Sequence, residues 1–224
     1  MLMKLFKPLT INDAKVLIRY ARYAIMNNLG LEYDFSSKES EELNRLRNLR
    51  YGVFVSIEKI VFSDGMFKRI LRGSVGTLNP INNLVDDVFV IALHSAFNDP
   101  RFSPITAAEF RHCIIELTVI SEPIKVSLEW LLDNLVLGYH GVLIHSNNES
   151  KVILPQKMVE YAEDYYREYG EKLGRKELIK MLENEYKINE GKLQVFQTQI
   201  FYEVEPDKDI IERRLYCKLG YTQF

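Results

Sequence analysis

Cysteine is scarce: the 224 residues contain two, Cys113 and Cys217. They are too few and too far apart for a Cys-x-x-Cys redox motif, a four-cysteine zinc site or a disulfide-dense scaffold. So few thiols fit a reducing compartment, and a cytoplasmic location is expected. No apolar run approaches the roughly 18 residues a membrane-spanning helix needs, and the first ten residues hold Lys4 and Lys7 but no apolar stretch of signal-peptide length. Eleven glycines and seven prolines exclude a collagen. No sign of charge dominates either: 29 Lys and Arg stand against 31 Asp and Glu, for a formal net charge of -2. That balance argues against a general nucleic-acid binder. The exception is residues 1–50, where nine Lys or Arg face six Asp or Glu and Arg45, Arg47 and Arg50 crowd the end. A solvated helix face explains them; a phosphate or partner contact is the alternative.

What is present is ordinary for a globular protein, with 47% hydrophobic and 27% charged residues. The length allows one large domain or two small ones. Residues 11–29 have helical apolar spacing, with Asn12 or Thr10 as cap and Gly30 as stop. A loop and a short helix or irregular connector follow over 34–50. Residues 51–62 and 68–76 predict an antiparallel pair around the Ser63-Asp64-Gly65 turn, and Leu84 to Phe97 predicts a helix. Thr106 and Glu109 have capping-box spacing. A strand over 112–120, a short helix over 127–135 capped by Ser127, and a hairpin around Asn147-Asn148 come next. Pro155 opens a helix through about Tyr169, Arg175 to Glu185 is another, and Gln194 to Val204 is a closing strand. Strands in hairpins make the chain α+β, with a mostly antiparallel sheet and packed helices. The expected organisation is a single domain over 1–224, with no linker. Its larger sheet-rich lobe comes mainly from 51–125 and 190–205, and its smaller lobe from parts of 1–50 and 125–190.

The densest anomaly is Leu71-Arg72-Gly73-Ser74-Val75-Gly76-Thr77. Glycine inside a strand often marks a close backbone approach or a bulge. Two glycines three apart leave room for something near the sheet. Arg72 offers a planar fork to a carboxylate or phosphate, and Ser74 and Thr77 offer hydroxyls. The plainer account is a twisted strand whose Arg72 pairs with a structural acid.

This segment resembles the LRGCIG signature of the AMMECR1 family. The resemblance extends through Tyr51-Gly52-Val53-Phe54-Val55, Ala96-Phe97-Asn98-Asp99-Pro100-Arg101-Phe102, Ile115-Glu116-Leu117 with Ile120-Ser121, and Gly138-Tyr139-His140-Gly141-Val142 with Leu154-Pro155-Gln156. It closes at Phe196-Gln197-Thr198-Gln199-Ile200-Phe201, covering roughly residues 10–205. It implies an α+β fold of a larger and a smaller lobe, with the signature in a cleft between them. The family occurs in archaea, bacteria and eukaryotes and has no established activity. Archaeal and bacterial relatives are linked to genes for a Memo-like protein and a radical S-adenosylmethionine enzyme, which hints at a shared pathway and makes those proteins expected partners; a small-molecule substrate and a second copy of the chain are the other expected partners. No cofactor and no metal are implied. One departure matters: the signature's cysteine is Ser74 here, and its isoleucine is Val75. A thiol-dependent mechanism therefore does not carry over.

Two functional readings follow. In the first, an enzyme or enzyme subunit binds a small polar or anionic substrate in the interlobe cleft. Ser74 orients it, His140 is the proton shuttle, and Arg72, Gly73, Gly76, Thr77, Glu116 and Gln156 bind it. Glu116, on a strand, is a carboxylate that could face Arg72, as a structural bridge or as half of a polar site. His94 falls on the apolar face of its helix. Asp99 and Arg101 read as a local turn pair. In the second reading the chain is a non-catalytic interaction or scaffold protein. Its contact surface is then drawn from Tyr161, Tyr165, Tyr166, Tyr169 and Tyr186.

Overall fold

Thr10 starts the first helix. Its hydroxyl accepts from the Asp13 amide while the Asp13 carboxylate takes the Thr10 amide, a reciprocal cap that leaves Asn12 inside helix α1, Ile11–Asn28. Ser36 and Glu39 repeat the device at α2, Ser37–Leu46. The first hairpin is β1, Gly52–Ser63, and β2, Met66–Thr77. Helix α3, Leu84–Phe97, is capped by Asn83, while the Asp87 carboxylate gathers the amides of Ile81 and Asn82. Then come α4, Ala107–Phe110; β3, Cys113–Ile120; β4, Ile124–Val126; α5, Leu128–Asn134; and the hairpin β5, His140–Ser146, with β6, Glu149–Ile153. Helix α6, Pro155–Tyr169, ends on Gly170 in the left-handed region. Helix α7, Arg175–Tyr186, strand β7, Lys192–Glu203, and strand β8, Ile210–Glu212, complete the chain. This computed structural model describes residues 5–63, 65–146, 149–186 and 192–215. Asp64, the Asn147-Asn148 turn, Cys217 and the Tyr186 side chain lie outside the described residues.

The fold is α+β with antiparallel strands, and the chain forms two compact units. One comprises Phe6–Ile120 and Gln199–Arg213. In it β1 lies between β2 and β3, and β8 pairs with the end of β7. Val53, Val55 and Ile57 of β1 and Ile115, Leu117 and Val119 of β3 share one sheet face. They are buried with α1 residues such as Leu17, Ile18 and Ala21, with Leu43 and Leu46 of α2, and with Val88 and Ala92 of α3. The helices of residues 1–50 thus belong to the same core as β1–β3, where the sequence pattern grouped them with 125–190. Their apolar stripes match the sheet face made by those strands. The basic residues at the end of this stretch bind within the unit. Arg45 reaches Asp13 at 2.8 Å, Arg47 reaches Asp86 at 2.6 Å, and Arg50 donates to the Asn82 carbonyl.

The other unit contains Ser121–Thr198. Its strands run in the order β6, β5, β7, β4, all antiparallel. Val142, Ile144, Ile153 and Val195 form a second core with Leu131 of α5, Met158 and Ala162 of α6 and Leu182 of α7. Tyr161 and Tyr165 pack against this core, while Tyr166 and Tyr169 are exposed. The three-residue strands β4 and β8 are too short to leave a periodic signal. No helix among the described residues is long and apolar enough to cross a membrane.

One ion pair ties the first unit together. Arg22 of α1 donates from Nε to Glu203 Oε1 at 2.8 Å and from Nη2 to Glu203 Oε2 and the Cys113 carbonyl. Glu203 also accepts from the Ile115 amide, and Phe110 covers the guanidinium. The pair is buried, so removing one member strands a charge. Arg22→Met is expected to cost about 3–5 kcal/mol in denaturant unfolding, with Arg22→Met/Glu203→Met recovering part of it. A single variant within about 1 kcal/mol of the parent would show that the pair carries no such load.

Candidate functional site

The two glycines of the signature are filled by the protein itself. A β-carbon on Gly73 would lie 2.0 Å from the Ser95 carbonyl oxygen, so the last turns of α3 rest directly on β2 there. A β-carbon on Gly76 would lie 2.1 Å from the Phe54 ring. The close approach lets Ser95 act between the strands. Its hydroxyl accepts from the Val75 amide at 3.0 Å and donates to the Val55 carbonyl at 2.7 Å. Val55 and Val75 are cross-strand partners, so a helix side chain bridges a rung of the ladder.

Asp99, in the turn after α3, extends the contact. It accepts from the Ser74 amide at 2.8 Å, from the Arg101 amide, and from Arg101 Nε and Nη2 at 2.9 and 2.7 Å. The Arg101 hydrogen bonds, opposed by burial and joined by the amides of Ser74 and Arg101, hold the Asp99 carboxyl down at about 2. Arg101 Nη2 also donates to the Ser74 carbonyl at 3.0 Å. The local turn pair expected from the sequence is present, and it grips the signature strand as well.

Arg72 is the extra residue of a β-bulge, since Ile57 pairs with Gly73 and Glu58 with Leu71. The bulge turns Arg72 toward α4. Its Nε and Nη2 bind the two Glu109 oxygens at 2.6 and 3.1 Å, and Nη2 donates to the Ser103 carbonyl. The Arg72 hydrogen bonds lower the Glu109 carboxyl against the effect of burial. Thr106 caps the Glu109 amide, and the Glu109 carboxylate binds Arg72. Arg72 therefore pairs with a structural acid, and that acid is Glu109. Glu116, the sequence candidate, instead receives Arg69 at 3.0 Å and Arg213 at 2.5 Å.

Ser74 lies on the sheet face opposite the core. Its hydroxyl is 2.8 Å from that of Ser56, its cross-strand partner, and Ser56 is also the partner of Glu116 on β3. Ser74, Ser56 and Glu116 thus form one row across three strands. Beside it Arg69 binds Glu58 and stacks on Tyr202, and burial, then the Glu116 charge, raise the Glu58 carboxyl. Among the described residues Ser56 is the sole hydrogen-bond partner of the Ser74 hydroxyl, so no imidazole or carboxylate is placed to deprotonate it. Thr77 is spent on its own turn, donating to the Asn79 carbonyl at 2.6 Å.

His140 and Gln156 belong to the other unit. His140 Nδ1 accepts from the Val136 amide at 3.0 Å, which puts the proton of the neutral ring on Nε2. That nitrogen is buried without a hydrogen-bond partner among the described residues. With the residue 5% exposed, burial pushes the imidazole down to about 4. Gln156 sits in the first turn of α6. His94, expected on an apolar helix face, is exposed near the end of α3. Helical spacing gives the buried stripe there to Val88, Ile91, Ala92, Ser95 and Ala96. The residues missed by sequence were Ser56, Ser95 and Glu109. A signal existed for Ser95, a small polar residue on that stripe, three beyond Ala92.

The AMMECR1 family model matches residues 18–201. A protein of Caldivirga maquilingensis is 34% identical over 215 residues, covering 94% of each chain. Protein MJ0810 of Methanocaldococcus jannaschii is 30% identical, over 92% of this chain and 98% of its own. Uncharacterized protein PH0010 from Pyrococcus horikoshii has a similar fold in the crystal. Its TM-score is 0.66 at 23% identity, over 91% of this chain and 97% of that one.

Two outcomes follow from the geometry. Gly73→Ala should destabilise by about 3 kcal/mol because a backbone carbonyl blocks the new methyl, and Gly76→Ala by about 2 because the methyl would meet Phe54 Cγ and force that half-buried side chain into another rotamer. The opposite order in urea unfolding would contradict this assignment. The His140 imidazole is harder to protonate folded than unfolded. Stability from this group is complete above pH 6.5 and falls as pH drops toward 4, by up to about 3 kcal/mol. The difference in urea midpoint between the parent and His140→Gln should shrink across that window; a pH-independent difference would refute it.

Proposed function

The chain belongs to the AMMECR1 family, and from that premise we propose that it binds a small polar or anionic ligand at the Ser74 face without supplying a nucleophile. The carrying observation is the pairing of the Ser74 hydroxyl with that of Ser56 at 2.8 Å. A serine held by another serine can donate or accept a hydrogen bond, but with no base beside it the hydroxyl is a poor nucleophile. Ser74 is partly exposed while Ser56 and Glu116 beside it are buried, so Ser74 is the part of the row a ligand can reach. Reactive chemistry then falls to a partner, for which the Memo-like protein and the radical S-adenosylmethionine enzyme are the candidates. His140, neutral at physiological pH, contributes a buried N–H donor in its own unit.

A second reading, a non-catalytic interaction protein, is favoured by the β1–β2 hairpin tip. Pairing of β1 with β3 ends at Lys59. Beyond it Phe62, Met66 and Phe67 are exposed, as is Ile70 opposite Lys59, with the two phenylalanine rings 5.1 Å apart. Apolar groups gathered at one tip suit a protein contact better than solvent. Co-sedimentation with a Memo-like protein that survives Phe62→Ser/Phe67→Ser would remove this reading.

The ligand reading is tested by an NMR screen of neutral and anionic metabolites, including S-adenosylmethionine-related compounds, against the full chain. A hit should shift the Ser74 and Val75 amides saturably and bind about tenfold more weakly to Ser74→Ala, the loss of one good hydrogen bond. The mass of the protein should stay unchanged after binding. A covalent adduct on Ser74, or a screen in which nothing moves these amides, would overturn it.

A further inference from the structure

We propose that Arg101, and not Arg72, is the arginine that meets the ligand beside Ser74, and that it meets an oxyanion, a carboxylate or a phosphate. This rests on the ligand-binding reading above. Both arginines flank the signature, both pair with a carboxylate, and both approach the Phe102 ring, with centroids 5.7 Å from Arg72 and 5.4 Å from Arg101. They differ in which charge of each pair reaches solvent. The Arg72 side chain is 14% exposed and Glu109 is 24%, so that pair turns its acid outward. The Arg101 side chain is 54% exposed and Asp99 is 3%, so this pair turns its cation outward.

Asp99 reinforces the difference. Its two oxygens accept four hydrogen bonds, from the Ser74 and Arg101 amides and from Arg101 Nε and Nη2. Its charge is spent inward, and its carboxyl stays ionised down to about pH 2. Arg101 Nη2 is also committed to the Ser74 carbonyl. Nη1 has no hydrogen-bond partner among the described residues. It offers two N–H groups next to the nitrogen that holds the Ser74 carbonyl. A guanidinium fixed on one edge and open on the other is a preorganised donor for a flat or tetrahedral oxyanion. Asp99 is then a positioning residue, acting through Arg101 and the Ser74 amide.

The test titrates the full chain with inorganic phosphate and, separately, with acetate, following the Ser74 and Val75 amides by NMR. Saturable shifts are expected, and the oxyanion with the lower midpoint names the source of the chemistry. Arg72→Gln should leave that midpoint within about twofold, whereas Arg101→Lys should weaken it about tenfold, since an ammonium cannot hold Asp99 with two nitrogens and still present a third. If Arg101→Lys fails to fold, the parent still decides: the Arg101 side-chain nitrogen signals should move with phosphate or acetate and the Arg72 signals should not. Equal midpoints for the parent and Arg101→Lys, or loss of binding in Arg72→Gln, would overturn the assignment. So would silence toward both oxyanions while neutral compounds from the screen shift Ser74; that result leaves the ligand reading standing. A screen in which nothing binds instead removes the reading itself.

Discussion

The carbonyl oxygen of Ser95 occupies the space where residue 73 would carry a β-carbon, and the rest of the signature region follows from that contact. Only glycine lets the end of α3 come this close to β2. At that distance the Ser95 hydroxyl can bridge Val75 to Val55, which closes a rung of the sheet through the helix. The same approach carries the turn after α3 over the strand, so that Asp99 takes the Ser74 amide and Arg101 reaches the Ser74 carbonyl. The bulge at Arg72 is the complementary adjustment on the strand side. It re-aims one arginine at Glu109 while the other holds the Ser74 carbonyl. The contact of Gly73 with Ser95 thus underlies the placing of Asp99 and Arg101 against Ser74.

The polar face of this sheet is held by charges that satisfy one another. Glu116 is enclosed by Arg69 and Arg213, and Arg69 by Glu58, Glu116 and the Tyr202 ring. Buried charges cost several kcal/mol each unless paired with good geometry. Such a network adds little net stability, and it resists rearrangement. It borders the row in which Ser56 pairs with Ser74 on one side and Glu116 on the other. The Arg22–Glu203 pair does the same work on the core side, joining α1, β3 and β7 at one point.

The sequence made the elements legible wherever a period or a cap was long enough to read. The alternation of Val53, Val55 and Ile57, the helical stripe of Leu84 to Phe97 and the Thr10, Ser127 and Pro155 starts all reappear in the structure. The three-residue strands β4 and β8 did not show, because three residues carry no period. The candidate site was legible as a place but not as an arrangement. Glycines at 73 and 76 announce a close approach, yet a carbonyl from α3 and the Phe54 ring fill spaces that a ligand could equally have claimed. Arg72 and Glu116 looked like partners because both are charged residues on strands. A single bulge residue, invisible in a pattern of types, turned one toward Glu109 and left the other to Arg69 and Arg213. Asp99 and Arg101 were readable as a turn pair; their hold on Ser74 depends on the tertiary contact at Gly73.

Ser74 stands where the family signature has a cysteine, and its surroundings explain why serine fits there. A thiol is a weak hydrogen-bond donor and draws its reactivity from ionisation. A hydroxyl bonds well and ionises only with a base at hand. The group beside residue 74 is another hydroxyl, 2.8 Å away, which rewards hydrogen bonding and does nothing for ionisation. The one thiol among the described residues, Cys113, is buried in the core of the same unit, where burial pushes it up to about 11. Neither position therefore supplies a thiolate. On the reading proposed above, the strand around Ser74 offers a ligand a hydroxyl held by Ser56 and, beside its carbonyl, the exposed guanidinium of Arg101. On that reading, any bond made or broken there needs a reactive group from outside the signature, because the Ser74 hydroxyl has another hydroxyl as its partner.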